Sequence, residues 1–99
     1  MATVVTPSYK QIEVKTIDAD WTSPVFLNIA SIKFIPGAAN DKVTILSGSD
    51  AGPLDFYSIS LDGEPRVEYF DPPKRSKPCI DLSASTFSAG HKVIFNLAD

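Results

Sequence analysis

Apolar positions along this chain fall into short alternating runs separated by breaks. Residues 11–17 put Ile12 and Val14 on one parity and Glu13 and Lys15 on the other, the period-two pattern of a half-buried strand. Residues 25–35 carry Val25, Leu27 and Ile29, then switch parity to Ile32 and Phe34. Side chains alternate strictly across a strand, so the switch requires a β-bulge or a strand that passes between sheets, and Ala30-Ser31 is where it falls. Val43 and Ile45 mark the inward face of residues 42–47. In residues 55–61, Tyr57, Ile59 and Leu61 read as inward and Ser58 and Ser60 as outward. Asp62-Gly63 is the strongest hairpin signal, with residues 66–70 as the partner strand, Val67 and Tyr69 inward. Ile80 and Leu82 predict a short strand, and residues 92–97 the last one, with Val93, Phe95 and Leu97 on one face. Residues 71–78 contain Pro72, Pro73 and Pro78 and read as an exposed loop, since proline has no amide to give a ladder. Residues 1–8 lack patterning and are expected to form a flexible arm before a single domain at 9–99.

Composition narrows the picture. Eight prolines and five glycines leave little room for a helix. The expectation is an all-β chain: a small antiparallel β-sandwich or jelly-roll-like domain of about seven strands, with a small barrel also open. Ninety-nine residues make one domain, and area scaling gives it a folded surface of about 5,500 Å². An apolar content of 43% argues against global disorder. No run approaches the roughly 20 apolar residues of a membrane helix. The first residues lack the basic and apolar regions of a signal peptide. A net charge of −3 argues against nucleic acid as the main partner and against anionic membranes. Cys79 is the only cysteine, so no intrachain disulfide can form, which fits synthesis in a reducing cytoplasm; Cys79 itself reads as a small buried apolar residue.

Catalytic equipment is thin. Asp18-Ala19-Asp20 could offer oxygens to Ca²⁺, but the remaining ligands of a calcium loop are missing, and a polar turn is expected. His91, the only histidine, follows a glycine and is expected to be a solvated strand-end residue. Ser88-Ala89-Gly90-His91 is no nucleophile elbow, and neither a zinc cluster nor a phosphate loop occurs. Paired carboxylates remain available in a chain with twelve acids, but short loops give them no cleft. The expectation is a non-enzymatic protein with no catalytic residue, metal, cofactor or small-molecule substrate.

Surface contacts are the remaining source of function. Lys74, Arg75 and Lys77 form the one basic cluster. Trp21 is expected to anchor its turn or to sit at a contact surface. Leu46, Phe56, Phe70 and Ile94 fall on the outward parity of their strands, and apolar groups on an outer face call for something to cover them. Alternatively, Tyr9, Trp21, Tyr57 and Phe70 could serve as stacking platforms of a small carbohydrate- or ligand-binding module.

The stretch Ile29-Ala30-Ser31-Ile32-Lys33-Phe34, the turn Pro36-Gly37-Ala38-Ala39-Asn40-Asp41, the strand Lys42-Val43-Thr44-Ile45-Leu46, and then Gly48-Ser49-Asp50-Ala51-Gly52-Pro53, Tyr69-Phe70-Asp71 and Ser88-Ala89-Gly90-His91-Lys92-Val93-Ile94-Phe95 together resemble a group of small all-β proteins of tailed bacteriophages and prophages. The resemblance covers roughly residues 21 to 98. It implies a virion-associated role as a capsid decoration, head–tail or tail accessory subunit, made in the host cytoplasm, which self-associates or binds other virion proteins. It supplies no functional residue.

Overall fold

The computed structural model describes residues 3–49 and 52–98. The strands are β1 (Val4–Ser8), β2 (Gln11–Lys15), β3 (Trp21–Thr22), β4 (Leu27–Ile35), β5 (Asp41–Ser47), β6 (Leu54–Ser60), β7 (Arg66–Ser76), β8 (Pro78–Ile80) and β9 (Lys92–Leu97), with a 3₁₀ turn at Leu82–Ala84. They build two antiparallel sheets, ordered β1-β2-β9-β4-β7 and β3-β8-β5-β6. The chain is thus all-β. Val14, Ile32, Phe34, Val93 and Phe95 of the first sheet are buried, as are Val43, Ile45, Phe56 and Ile80 of the second, in a single apolar cluster. The Trp21 ring meets Phe95 at a centroid distance of 5.9 Å, joining the sheets. Among the described residues no helix is long and apolar enough to cross a membrane.

The parity switch in β4 is a bulge. Its register shifts between Ile29 and Ser31 against both neighbours, β7 and β9, so Leu27, Ile29, Ile32 and Phe34 are all buried. On β7 the same interval takes up residues 70–73, because Ile29 pairs with Lys74 and Ser31 with Tyr69.

Several expectations are corrected. Of the expected arm, residues 1–2 lie outside the described residues, while Val4–Ser8 forms β1, paired with β2 from Val4–Lys15 to Ser8–Gln11 and exposed throughout. Trp21–Thr22, expected within a break, is strand β3. Residues 71–76 are not a loop but the end of β7. An edge strand tolerates Pro72 and Pro73 because their missing amides fall in the bulge, where no ladder bond needs them. Leu82 opens the 3₁₀ turn rather than closing a strand, and the Asp81 carboxylate accepts from the Ser83 amide at its start. Val25 lies before β4 and is exposed. Asp62-Gly63 makes a tight turn, with Gly63 at φ 81°, but β6 and β7 do not pair: the turn carries the chain from one sheet to the other.

The largest correction is in β6. Phe56 pairs with Ile45 and Ser58 with Val43. Directly opposed residues share a face, so Phe56 and the two serines point inward. Phe56 is 4% exposed, whereas Leu54 is 59%, Tyr57 51%, Ile59 39% and Leu61 66% exposed. Ser60 sits opposite the buried Asp41, where a small hydroxyl-bearing residue fits and a leucine does not. β7 is inverted likewise. Phe70 packs on the core while Val67 and Tyr69 are exposed. Arg66 and Glu68 take inner parity opposite Phe34 and Ile32, and they reach water because the sandwich is open between β6 and β7.

Candidate functional site

The chain's one histidine is no solvated residue. Glycine at position 90, with φ 93°, turns the backbone so that His91 enters the molecule at the head of β9 and is buried. Its ring stacks on Phe87 at 4.5 Å. The Ile17 amide donates to Nε2 at 2.8 Å, and Nδ1–H donates to the Ser88 carbonyl at 2.8 Å. The two bonds fix the tautomer, with both ring nitrogens held by the backbone. The cleft of about 270 Å³ beside it is lined by residues 16–18 and 87–91. Its chemistry is that of a structural staple.

Asp41 is a second staple, which the sequence reading missed. The Gly37 and Ser88 amides donate to Oδ2 at 2.9 and 2.8 Å, and the Ser88 hydroxyl donates to Oδ1 at 2.7 Å. Burial opposes its ionisation most strongly, but the Ser88 hydroxyl and the Ser88, Gly37 and Ala38 amides together hold the carboxyl below its ordinary range. The Asp18-Ala19-Asp20 oxygens are also engaged: Asp18 accepts from the Thr3 amide and hydroxyl, and Asp20 accepts from the Leu82 amide at 2.8 Å. Among the described residues no group of three or more His, Cys, Asp or Glu side chains is placed to hold a metal ion.

The basic cluster is divided between partners. Lys74 pairs with the buried Asp55 carboxylate at 2.9 Å, which also accepts from the Ser76 hydroxyl. Arg75 and Lys77 lie 5.2 and 5.0 Å from the centroid of the exposed Phe26 ring, a cation–π arrangement. Phe26 was not legible as a surface residue from its pattern.

Of the residues expected to form an interaction surface, Trp21 packs against the core, Phe56 is buried and Phe70 is turned to the core. Leu46 and Ile94 are half-buried; Ile94 lies between Glu13 and Lys33 of the flanking strands. With Trp21 and Phe70 drawn inward, the expected stacking platform is reduced to Tyr9 and Tyr57. The outer apolar surface exists with different members. Leu54 pairs with Leu46, Tyr57 with Thr44 and Ile59 with Lys42 on the outer face of the second sheet, and Leu61 continues the row. The misplaced parity of β6 hid them. The signal that could have found them lies in β7: charged Arg66 and Glu68 alternating with Val67 and Tyr69 mark an open seam, which here is a cleft of about 260 Å³ walled by Phe56, Tyr57, Ser58, Arg66, Val67 and Glu68.

Comparison with protein-family models, curated proteins and solved structures finds no match.

Proposed function

We propose that this chain is a non-enzymatic structural or interaction subunit of a bacteriophage particle, acting through surface contacts. The observation that carries the contact role is the exposed row Leu54, Tyr57 and Ile59 on one face of β6, continued by Leu61 just beyond it. Scattered apolar residues need no explanation, but a row along one strand of a small domain marks a surface to be covered. The virion setting is supported by the resemblance across residues 21–98. In a symmetric shell each subunit repeats the same contact, so weak contacts sum to firm attachment. The test is mass spectrometry of particles purified from the phage or prophage that encodes the chain. The expected result is this chain at a fixed ratio to the shell subunit. Particles that lack it overturn the virion assignment.

A further inference from the structure

Four strands end the two sheets: β1 and β7 in one, β3 and β6 in the other. An exposed edge invites another chain to pair with it, and proteins block this with proline, charge, bulges or short length. β1 contains Pro7. β3 is two residues long. β7 has Pro72 and Pro73 in its bulge and turns Arg66 and Glu68 inward. β6 has one bulge, at Asp55, where Ile45 pairs with Phe56 and Leu46 with Leu54, but from Phe56 to Ser60 its pairing is regular. Its sequence Leu54–Ser60 holds no proline, and its one charge, Asp55, is turned in to Lys74 and Ser76.

The hydrogen-bonding side of β6 can be read from its neighbour. Lys42 exchanges both backbone bonds with Thr86, and the Thr44 carbonyl accepts from Asp81, all on the side away from β6. By alternation Val43 and Ile45 bond to β6, through Ser58 and Phe56. The N–H and C=O groups of Tyr57 and Ile59 therefore face the free edge, beside the exposed apolar row.

We infer that a second copy of this chain pairs its own β6 with this edge, antiparallel about a two-fold axis at Ser58, the midpoint of the regular stretch Phe56–Ser60, so that Tyr57 of each copy faces Ile59 of the other and two four-stranded sheets join into one. This names the partner and geometry of the surface on which the proposed function rests. A like-on-like contact is permitted because the outer row of β6 bears no charge to repel its copy. Charge at the two ends favours the antiparallel arrangement. The turn after β6 holds Glu64 beside the Asp62–Arg66 ion pair, while Lys74, paired with Asp55, and Lys77, whose carbonyl accepts from the Gly48 amide, stand near its start. The two-fold sets the acidic end of each copy against the basic end of the other. A seven-residue strand is only about 23 Å long, so the contact lies at the small end of specific interfaces.

The experiment is sedimentation equilibrium of the full chain, Ile59→Lys, Ile59→Ser and Tyr69→Lys, with thermal melts to establish that each is folded. It is paired with thiol cross-linking of Tyr57→Cys and Tyr69→Cys. The expected result is a wild-type dimer, weakened at least tenfold by Ile59→Lys, less by Ile59→Ser and not by Tyr69→Lys, with cross-linked dimer from Tyr57→Cys alone. A wild-type chain that stays monomeric overturns the inference. So does a dimer indifferent to the Ile59 variants, or one that Tyr57→Cys fails to trap. The virion assignment is decided separately by the particle composition.

Discussion

Asp41 shows how one residue holds two turns together. It is 1% exposed, and its carboxylate ties the turn after β4 to the segment before β9. Its folded pKa lies below the ordinary 3.8, so its contribution is fully present above the unfolded value and is lost as the pH falls through the folded one. Asp41→Asn turns an NH₂ group toward backbone donors. Urea unfolding of this variant at neutral pH is expected to show a loss of about 2–3 kcal/mol, the scale of a buried polar group left unsatisfied. The gap from wild type narrows as the pH is taken below 3.8. His91→Ala removes the acceptor of the Ile17 amide and the stack on Phe87. The same measurement is expected to give a loss of about 2–3 kcal/mol. Neither role was legible in the sequence. Both depend on partners 47 and 74 residues away, and local pattern carries no trace of such bonds.

Strands were legible where both parities were decided by apolar side chains. The β4 bulge could be placed because Leu27, Ile29, Ile32 and Phe34 demand burial from both sides of Ala30. Edge strands offered no such constraint. β6 turns one aromatic and two serines inward, β7 turns two charges into an open seam, and in each case the more apolar parity is the exposed one. A pair of substitutions tests the β6 orientation. Phe56→Ala is expected to cost about 3–5 kcal/mol through the cavity it leaves. Leu61→Ser is expected to stay within about 0.5 kcal/mol, as surface changes do. Chemical denaturation reads both. Equal costs at the two sites would contradict the assigned faces.

For the whole molecule, the all-β class and the antiparallel sense followed from short strands and frequent breaks, whereas the division into two sheets rather than a closed barrel did not, and the folded surface of 5286 Å² is close to that expected from chain mass. Which edges stay open did not follow, because it depends on where the 61–65 corner sends the chain. The corner moves it to the other sheet and leaves β6 with one neighbour. A two-fold contact whose ends are matched in charge weakens as salt screens them. Titration with NaCl in sedimentation experiments is therefore expected to shift the dimer toward monomer, where a contact made by apolar burial alone would hold or tighten.

Amide hydrogen exchange followed by NMR as a function of protein concentration reads the free edge most directly. The expected result is that Phe56 and Ser58, bonded to β5, are protected at every concentration, while Tyr57 and Ile59 exchange freely in dilute protein and become protected as it is concentrated. Tyr57 and Ile59 amides already protected in the dilute monomer, or never protected at all, would contradict the account.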